Sequence, residues 1–354
     1  MDKGKSKTIG KVKPATSFAV HETGDLLWVF LPTSLHGESF PKSLLPEDYY
    51  FPGLQMDMAR DATYYAQEMP ASFHMMIENG LDPAHFSFSH HGVIARRDDA
   101  APMPDMKVVN SNFTNIDIYT TYKRNGEPRE RQYSFQRPLL LYTKESVSRS
   151  EKDETEWIPG ALFFVVPIRE GRSRIITSVE KVTKPYLPAW VTHLATRRLF
   201  DGDYFVHEAE LYRRQKGLKY VEPTTSDIGP RAWNQWMQQH GFCDSPPHTF
   251  GLASKENLTP MTFAEMQDPW RIHTSTCSKC RAVLRRARKI QLWSILCGVF
   301  GATLLHGQRR SIAASMILSA GILAHFVAKK VAMLMEGSSH PSDAPERSYS
   351  MVVK

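Results

Sequence analysis

The sequence predicts an α+β protein: an antiparallel sheet with a long helix over it, followed by a C-terminal two-helix membrane hairpin. Three observations predict this. Alternating β-branched and polar runs, broken by Gly-containing turns, recur between residues 18 and 182. The stretch from Pro188 to about Lys219 reads as one long helix. Beyond residue 289, two charge-free apolar runs replace the mixed composition. Many strands with a long helix across them place the helices on one face of an antiparallel sheet.

Each element has its own signal. FAVHETGDLLWVFL (18–31) reads as a strand, a Thr23-Gly24-Asp25 turn and an apolar strand. NFTNIDIYTTYKRNG (112–126) alternates β-branched and polar residues and stops at Asn125-Gly126, a strong hairpin turn. RQYSFQRPLLLYTKES (131–146) continues in the same style, and ALFFVVPIREGRSRIITSVEKV (161–182) is a hairpin turning at Gly171. Pro188 suits a first helical position, and Trp190, Leu194, Leu199, Phe205 and Leu211 are spaced for one buried face. TCSKCRAVLRRARK then carries six basic residues in fourteen positions. The apolar runs that follow, IQLWSILCGVFGATLLHG and IAASMILSAGILAHFVAKK, have about 16 and 17 uncharged residues, near the lower limit for spanning a bilayer. Two buried core helices are the alternative, but a soluble domain seldom ends in helices apolar all round. Basic flanks put the cluster at 281–289 and Lys329-Lys330 on the cytosol-like side. The resulting divisions are a basic stretch (1–17), a folded domain (18–270), a Cys-x-x-Cys and basic linker (271–289), two transmembrane helices (290–330) and a polar, disordered tail (331–354).

The 354 residues are 42 % hydrophobic and 11 % aromatic, which is ample for a core and excludes a disordered chain. Formal charge is +7, with basic residues concentrated only in the C-terminal third. No aromatic-and-basic recognition motif accompanies them, so a membrane surface or anionic ligand fits better than nucleic acid. Four cysteines (Cys243, Cys277, Cys280, Cys297) are too few for a disulfide framework. The opening MDKGKSKTIGKVK has neither the apolar core of a signal peptide nor the amphipathic character of a transit peptide.

The chemistry concentrates in ENGLDPAHFSFSHH (78–91). Asp82 and Pro83 form a helix start, cap then first position. His90 lies five residues beyond His85, about 140° round an ideal helix, so the two can share a metal only if the helix ends or distorts between them. Ser-Phe-Ser-His-His-Gly offers such an ending, with Gly92 available for a left-handed stop. His91 is a spare ligand; His74 and Glu78 read as packing and capping residues.

Asn79-x-x-Asp82-x-x-His85-x4-His90 resembles the mononuclear-iron motif of Rieske-type non-haem iron oxygenases. The Asp-Pro-Ala-His-x4-His-His-Gly core, a downstream Cys-x-x-Cys and two terminal apolar segments narrow the likeness to the pheophorbide a oxygenase group, across most of residues 18–335. The resemblance implies a helix-grip, START-like catalytic domain holding Fe(II) on two histidines and a carboxylate, with positions left for O2 and substrate. His85 and His90 would be the histidine ligands. RLFDGDYFVHEAE resembles the segment that supplies the carboxylate, with Asp203 the better fit and Asp201 the runner-up. An acidic patch on an exposed helix face is the bland alternative. Asp82 would be the bridging acid that bonds His85 and couples the iron to its electron donor.

The resemblance also implies partners. The substrate would be a chlorophyll-related tetrapyrrole, the donor ferredoxin-type, the assembly a homotrimer, and the location a chloroplast membrane, inner envelope or thylakoid. Phe86, Phe88, Phe113, Tyr119 and Tyr122 are candidates for pocket walls, with core packing the alternative for each. His273-x3-Cys277-x2-Cys280 lacks a visible fourth zinc ligand. The resemblance makes Cys277 and Cys280 a redox dithiol responsive to thioredoxin, and Lys279 and Arg281 favour a thiolate. The chain departs from the family in one respect: Cys-x-His followed by Cys-x-x-His, the ligands of the 2Fe–2S cluster, occurs nowhere in it. FAVHETGDLLWVFLP resembles the stretch that follows the cluster domain in relatives. The expectation is an oxygenase catalytic domain from an incomplete gene. A two-subunit arrangement, or a non-catalytic tetrapyrrole- or lipid-binding homologue or envelope component, is the alternative.

Overall fold

Period-two alternation and turn glycines become two separate sheets in a computed structural model. It describes residues 20–23, 26–29, 64–124, 126–137, 139–148, 155–169, 171–179, 187–218, 221, 223–240, 263–306 and 312–337. The chain divides into two units, Met1–Ala62 and Thr63–Lys354. In the first, β1 (Val20–Thr23) and β2 (Leu26–Val29) pair antiparallel with Thr23 opposite Leu26, the hairpin read around Gly24. The basic stretch 1–17 and most of the tail, 338–354, lie outside the described residues, as does Cys243.

The second unit is built on a seven-stranded antiparallel sheet. Its strands are β3 (Tyr64–Met69), β4 (Lys107–Ser111), β5 (Asn115–Arg124), β6 (Glu127–Gln136), β7 (Leu140–Ser148), β8 (Thr155–Arg169) and β9 (Arg172–Val179). They run in the order β3-β9-β8-β7-β6-β5-β4, so all but β3 form a meander. Gly126 and Gly171 take positive φ at the predicted turns. Strands β3 and β4 had no clear signal. β4 is exposed throughout, and β3 alternates half-buried and buried with a buried glutamine in its inward row.

One face of the sheet is covered. Helix α1 (Phe73–Gly80) and helix α5 (Ile228–His240) bury Phe73, Ile77, Trp233 and Trp236 against Ile116, Tyr133, Phe135 and Leu141. Cross-strand pairs Ile116–Phe135 and Phe135–Leu141 align these side chains in one inward row. Trp233 and Trp236 stack with ring centroids 5.3 Å apart, and the Trp233 indole N–H donates to the His74 carbonyl at 3.1 Å.

The long helix expected from Pro188 is two helices. Pro188 caps α3 (Ala189–Asp201), and after Gly202-Asp203 the chain resumes as α4 (Tyr204–Gln215). The expected apolar face is borne out in part. Trp190 and Leu194 pack against buried Cys280, Leu284 and Met335, and Leu199 is half-buried. Phe205, however, is exposed, and the fully buried positions are His193, Thr196, Phe200, Asp203, Tyr204 and His207. Chemical groups share the inner face with packing groups, which hydrophobic spacing does not reveal.

After a short helix α6 (Phe263–Gln267) and a π-helical turn (Trp270–Thr274), the chain ends in α7 (Ser278–His306) and α8 (Ile312–Glu336). The basic segment read as a linker forms the first turns of α7, and residues 331–336, read as tail, continue α8. Among the described helices one, α8, is long and apolar enough to cross a membrane. α7 carries six basic residues before its charge-free part begins at Ile290. The two helices pack antiparallel through small residues, with a Cβ on Gly301 meeting the Leu318 nitrogen at 3.0 Å and one on Gly321 meeting the Ser294 carbonyl at 3.1 Å. Trp293, Leu296, Phe300, Leu323, Phe326 and Val327 are left exposed on the outside.

Truncating Trp233, fully enclosed between α1 and the sheet, removes the largest buried side chain in this layer. Trp233→Ala is expected to lower the unfolding free energy by about 3–5 kcal/mol in a denaturant titration.

Candidate metal centre

Helix α1 is capped by Ser72, whose hydroxyl accepts from the Met75 N–H at 3.2 Å. Asp82, in extended conformation, caps the next turn by accepting from the Ala84 N–H at 2.9 Å, with Pro83 at the first position as predicted. That turn, Pro83–His85, is a 3₁₀ helix; it runs into the four-residue helix α2 (Phe86–Ser89), and His90 already has non-helical backbone angles. The ideal-helix separation of His85 and His90 therefore does not apply, because the winding changes at Phe86 and stops before His90. Gly92 closes the segment at φ +74°, its N–H donating to the Ala95 carbonyl at 2.9 Å.

The carboxylate arrives from the corner between α3 and α4. A Cβ on Gly202 would lie 2.2 Å from the Ser89 carbonyl oxygen, so only glycine lets this corner press against the end of α2. Asp203 is thereby set beside His90, while Asp201 turns away to Arg197 at 3.8 Å.

His85, His90 and Asp203 are 8 %, 3 % and 4 % exposed, and their ligand atoms lie within 4.8 Å of one another. Asp203 Oδ1 stands 3.4 Å from His90 Nε2 and 3.6 Å from His85 Nε2, too long for good hydrogen bonds. The His85 Nδ1–H donates to the Asp82 backbone carbonyl, so its Nε2 presents a bare lone pair. His90 Nδ1 points at the Leu199 carbonyl without meeting full hydrogen-bond geometry. Asp203 Oδ1 is buried and has no hydrogen-bond partner. Burial holds His90 at about 4, and burial with neighbouring His90 and His207 holds His85 well below the usual range, so both rings are neutral at pH 7. Burial pushes Asp203 up to about 8 against the hydrogen bond from Asn79. With no metal bound, an Asp203 carboxyl at about 8 keeps its proton at pH 7 between the two neutral imidazoles; a divalent cation bound there would displace that proton and take all three lone pairs. Ligands about 2.1 Å from one ion lie roughly 3.0–3.4 Å apart, close to what is observed. The residues present fit a divalent metal on two histidines and one carboxylate.

Other expected positions separate clearly. Asp82 contacts His85 through its backbone carbonyl, its carboxylate being taken by Ala84; burial raises that carboxyl to about 7. His91 is exposed and accepts from the Arg97 N–H at 3.1 Å, outside the cluster. His74 and Glu78 pair at 3.4 Å within α1. Sequence reasoning assigned no role to Asn79, which holds the Asp203 carboxylate, and passed over His207, buried one turn beyond Asp203. Cys277 and Cys280 lie together with His273 and also with His193, which supplies the fourth ligand-type group that linear spacing did not show.

A cavity of about 340 Å³ opens beside the three residues. Phe86, Leu141, Phe163, Val165, Ile175 and Phe200 line it, with Tyr122, Lys123, Arg124 and Arg131 on the polar side. Of the aromatic candidates for its walls, Phe86 and Tyr122 are there; Phe88 and Phe113 are exposed instead. The Arg131 guanidinium donates to Tyr122 Oη at 2.7 Å and to Glu145 at 3.1 Å, and Tyr122 donates to Glu145 at 2.6 Å, so these three groups form one network on this wall.

Two histidines and a carboxylate on one face of a buried pocket define the class of mononuclear sites with open positions. The family model described as Pheophorbide a oxygenase matches residues 135–220, a range that includes Asp203 but neither His85 nor His90. Pheophorbide a oxygenase, chloroplastic, of Oryza sativa subsp. japonica is 24 % identical over 276 residues, 70 % of this chain and 49 % of its own length. Flavonoid 8-hydroxylase 2, chloroplastic, of Ocimum basilicum is 23 % identical over 279 residues, 70 % of this chain and 50 % of its own. The solved structure of Pseudomonas putida CBB5 NdmA with caffeine overlaps at 16 % identity, covering 66 % of this chain and 64 % of that one with a TM-score of 0.40. The chain is similar in sequence to the pheophorbide a oxygenase group, and it spans about half the length of the curated relatives it matches.

Two substitutions test how the centre is held. Gly202→Ala is expected to move the corner off Ser89 and weaken divalent-metal binding about 10–100-fold in an anaerobic titration, with the fold retained. Asn79→Ala is expected to weaken it by a similar factor, whereas Asp201→Asn leaves it unchanged.

Proposed function

We propose that the chain is the catalytic part of a membrane-anchored, iron-dependent oxygenase acting on a chlorophyll-related tetrapyrrole. The observation that carries this reading is the convergence of His85, His90 and Asp203, three buried ligand-type groups, at the wall of a mostly apolar cavity. His85, His90 and Asp203 would hold Fe(II), which when bound supplies the activation of O2. The overall reaction consumes O2, two electrons and two protons, places one oxygen on a substrate carbon and releases water.

The chain's own groups set the conditions. The Asp82 carbonyl fixes the tautomer and direction of His85, and Asn79 fixes the carboxylate of Asp203. The apolar walls exclude water around the reacting carbon. At about 340 Å³ the cavity is at the small end of ligand pockets, so the macrocycle enters by one edge, with its carboxylates toward Lys123 and Arg124. Electrons come from a Rieske 2Fe–2S centre fed by a ferredoxin-type donor, and Asp82 passes any change at the docking surface to His85. The curved sheet and its covering helices are read as the helix-grip catalytic domain within 18–270. Helices α7 and α8, with their apolar outer faces, are read as the anchor in a chloroplast membrane, in keeping with the chloroplastic names of the relatives.

His85→Ala is expected to abolish stoichiometric Fe(II) binding and peroxide-driven oxygenation of pheophorbide a, peroxide supplying both oxygen and electrons. Turnover retained in that variant overturns the reading. Pheophorbide binding that survives the mutation in a chain with no iron affinity marks a carrier, and binding of a flavonoid in preference to the tetrapyrrole replaces the substrate class.

A further inference from the structure

A second group of ligand side chains closes at the root of the C-terminal hairpin. His193 comes from the middle of α3, His273 from the π-helical turn, and Cys277 and Cys280 from the start of α7. His193 Nδ1 lies 3.1 Å from His273 Nε2, 3.4 Å from Cys280 Sγ and 3.6 Å from Cys277 Sγ, and His273 Nε2 lies 3.3 Å from Cys280 Sγ. A tetrahedral zinc ion, bound at about 2.05 Å to nitrogen and 2.3 Å to sulfur, sets N···N edges near 3.3 Å and N···S edges near 3.6 Å. The observed edges have that size. We propose that His193, His273, Cys277 and Cys280 form a four-coordinate structural zinc site, separate from the His85–His90–Asp203 centre.

The surroundings suit a metal. His273 Nδ1 faces the Ala66 carbonyl of β3 at 2.8 Å; a carbonyl only accepts, so the proton is on Nδ1 and the Nε2 lone pair points into the cluster. The Cys280 N–H is directed at Cys277 Sγ at 3.5 Å, a donor to a ligating sulfur. The Tyr65 ring stacks on His273 at 4.3 Å and meets His193 edge-on at 5.5 Å, covering the histidine side of the site, while Cys277 is half-buried. Ser275 N–H reaches back to the Trp270 carbonyl, and this wider turn brings His273 round to face Cys280.

Competing chemistries need other geometry. A 2Fe–2S cluster of the Rieske kind places its cysteines and histidines on different irons, and N···S contacts of 3.3–3.6 Å leave room for one ion. A Cys277–Cys280 disulfide draws the two sulfurs to about 2.05 Å and withdraws them from the histidines. With four protein ligands and no open position the ion is structural. It ties α7 to α3 and, through His273, to β3.

The test is metal analysis of the full chain, purified in detergent with zinc available and no chelator. About one zinc per chain is expected, retained in His85→Ala and reduced at least tenfold in His193→Gln and Cys277→Ser. Co(II) exchanged into the unmutated chain should give a thiolate-to-metal charge-transfer band, so the proposal stays decidable should the variants misfold. Both thiols should resist a thiol reagent until a chelator is added. A folded chain that takes up no zinc and gives no such cobalt band overturns the proposal. So do zinc content unchanged by both substitutions, and a Cys277–Cys280 disulfide formed by mild oxidation without metal release, which would establish the redox dithiol.

Discussion

The close approach of Gly202 to the Ser89 carbonyl is the contact on which the centre depends. It forces the break between α3 and α4, and the break is what turns Asp203 inward beside His90. A continuous helix through 201–204 would leave no such corner, and any side chain at 202 would hold it off. The same corner gives Asp201 a different fate, an ion pair on the helix flank, although it is two residues away and chemically identical.

Burying so many polar groups is costly unless each finds a partner. Around α3 and α4 the partners form a chain. The Tyr65 hydroxyl donates to Gln67, the Gln67 amide donates to the Tyr204 hydroxyl, and that hydroxyl donates to the Met266 carbonyl at 3.1 Å. This network ties β3, α4 and α6 together next to Asp203. Tyr65 also stacks on His273, so the network starts at one ligand cluster and, through Gln67, reaches Tyr204, the neighbour of Asp203 in the other. The two clusters therefore sit on one buried polar seam, with the inner face of α3 and α4 as its backbone.

The helical hairpin obeys a different rule from the sheet domain. Around the sheet, large apolar groups are inside; beyond the base of α7 and α8, where Leu284 and Met335 are buried, small residues are inside and large apolar ones face out. That inversion follows from packing helices by close backbone approach instead of by burying bulky side chains. It is legible in composition, since Gly, Ala and Ser recur in both runs without charge.

Periodicity and turn chemistry determined much of this protein unaided: the hairpins at Gly126 and Gly171, the cap at Asp82, the stop at Gly92 and the pair of apolar runs all rest on local backbone preferences that travel with the residues. That His85, His90 and Asp203 belong together was legible too, from the motif and its resemblance, and so was the neighbourhood of Cys277 and Cys280. What only the tertiary structure decided is who meets whom. The fourth group beside the two cysteines is His193, 84 residues before Cys277. The Asp82 contact to His85 is a backbone one, and the buried face of the Pro188 helix mixes His193 and Thr196 with Phe200. Each of these depends on distant segments brought together by the sheet, and a linear pattern carries no record of such distances.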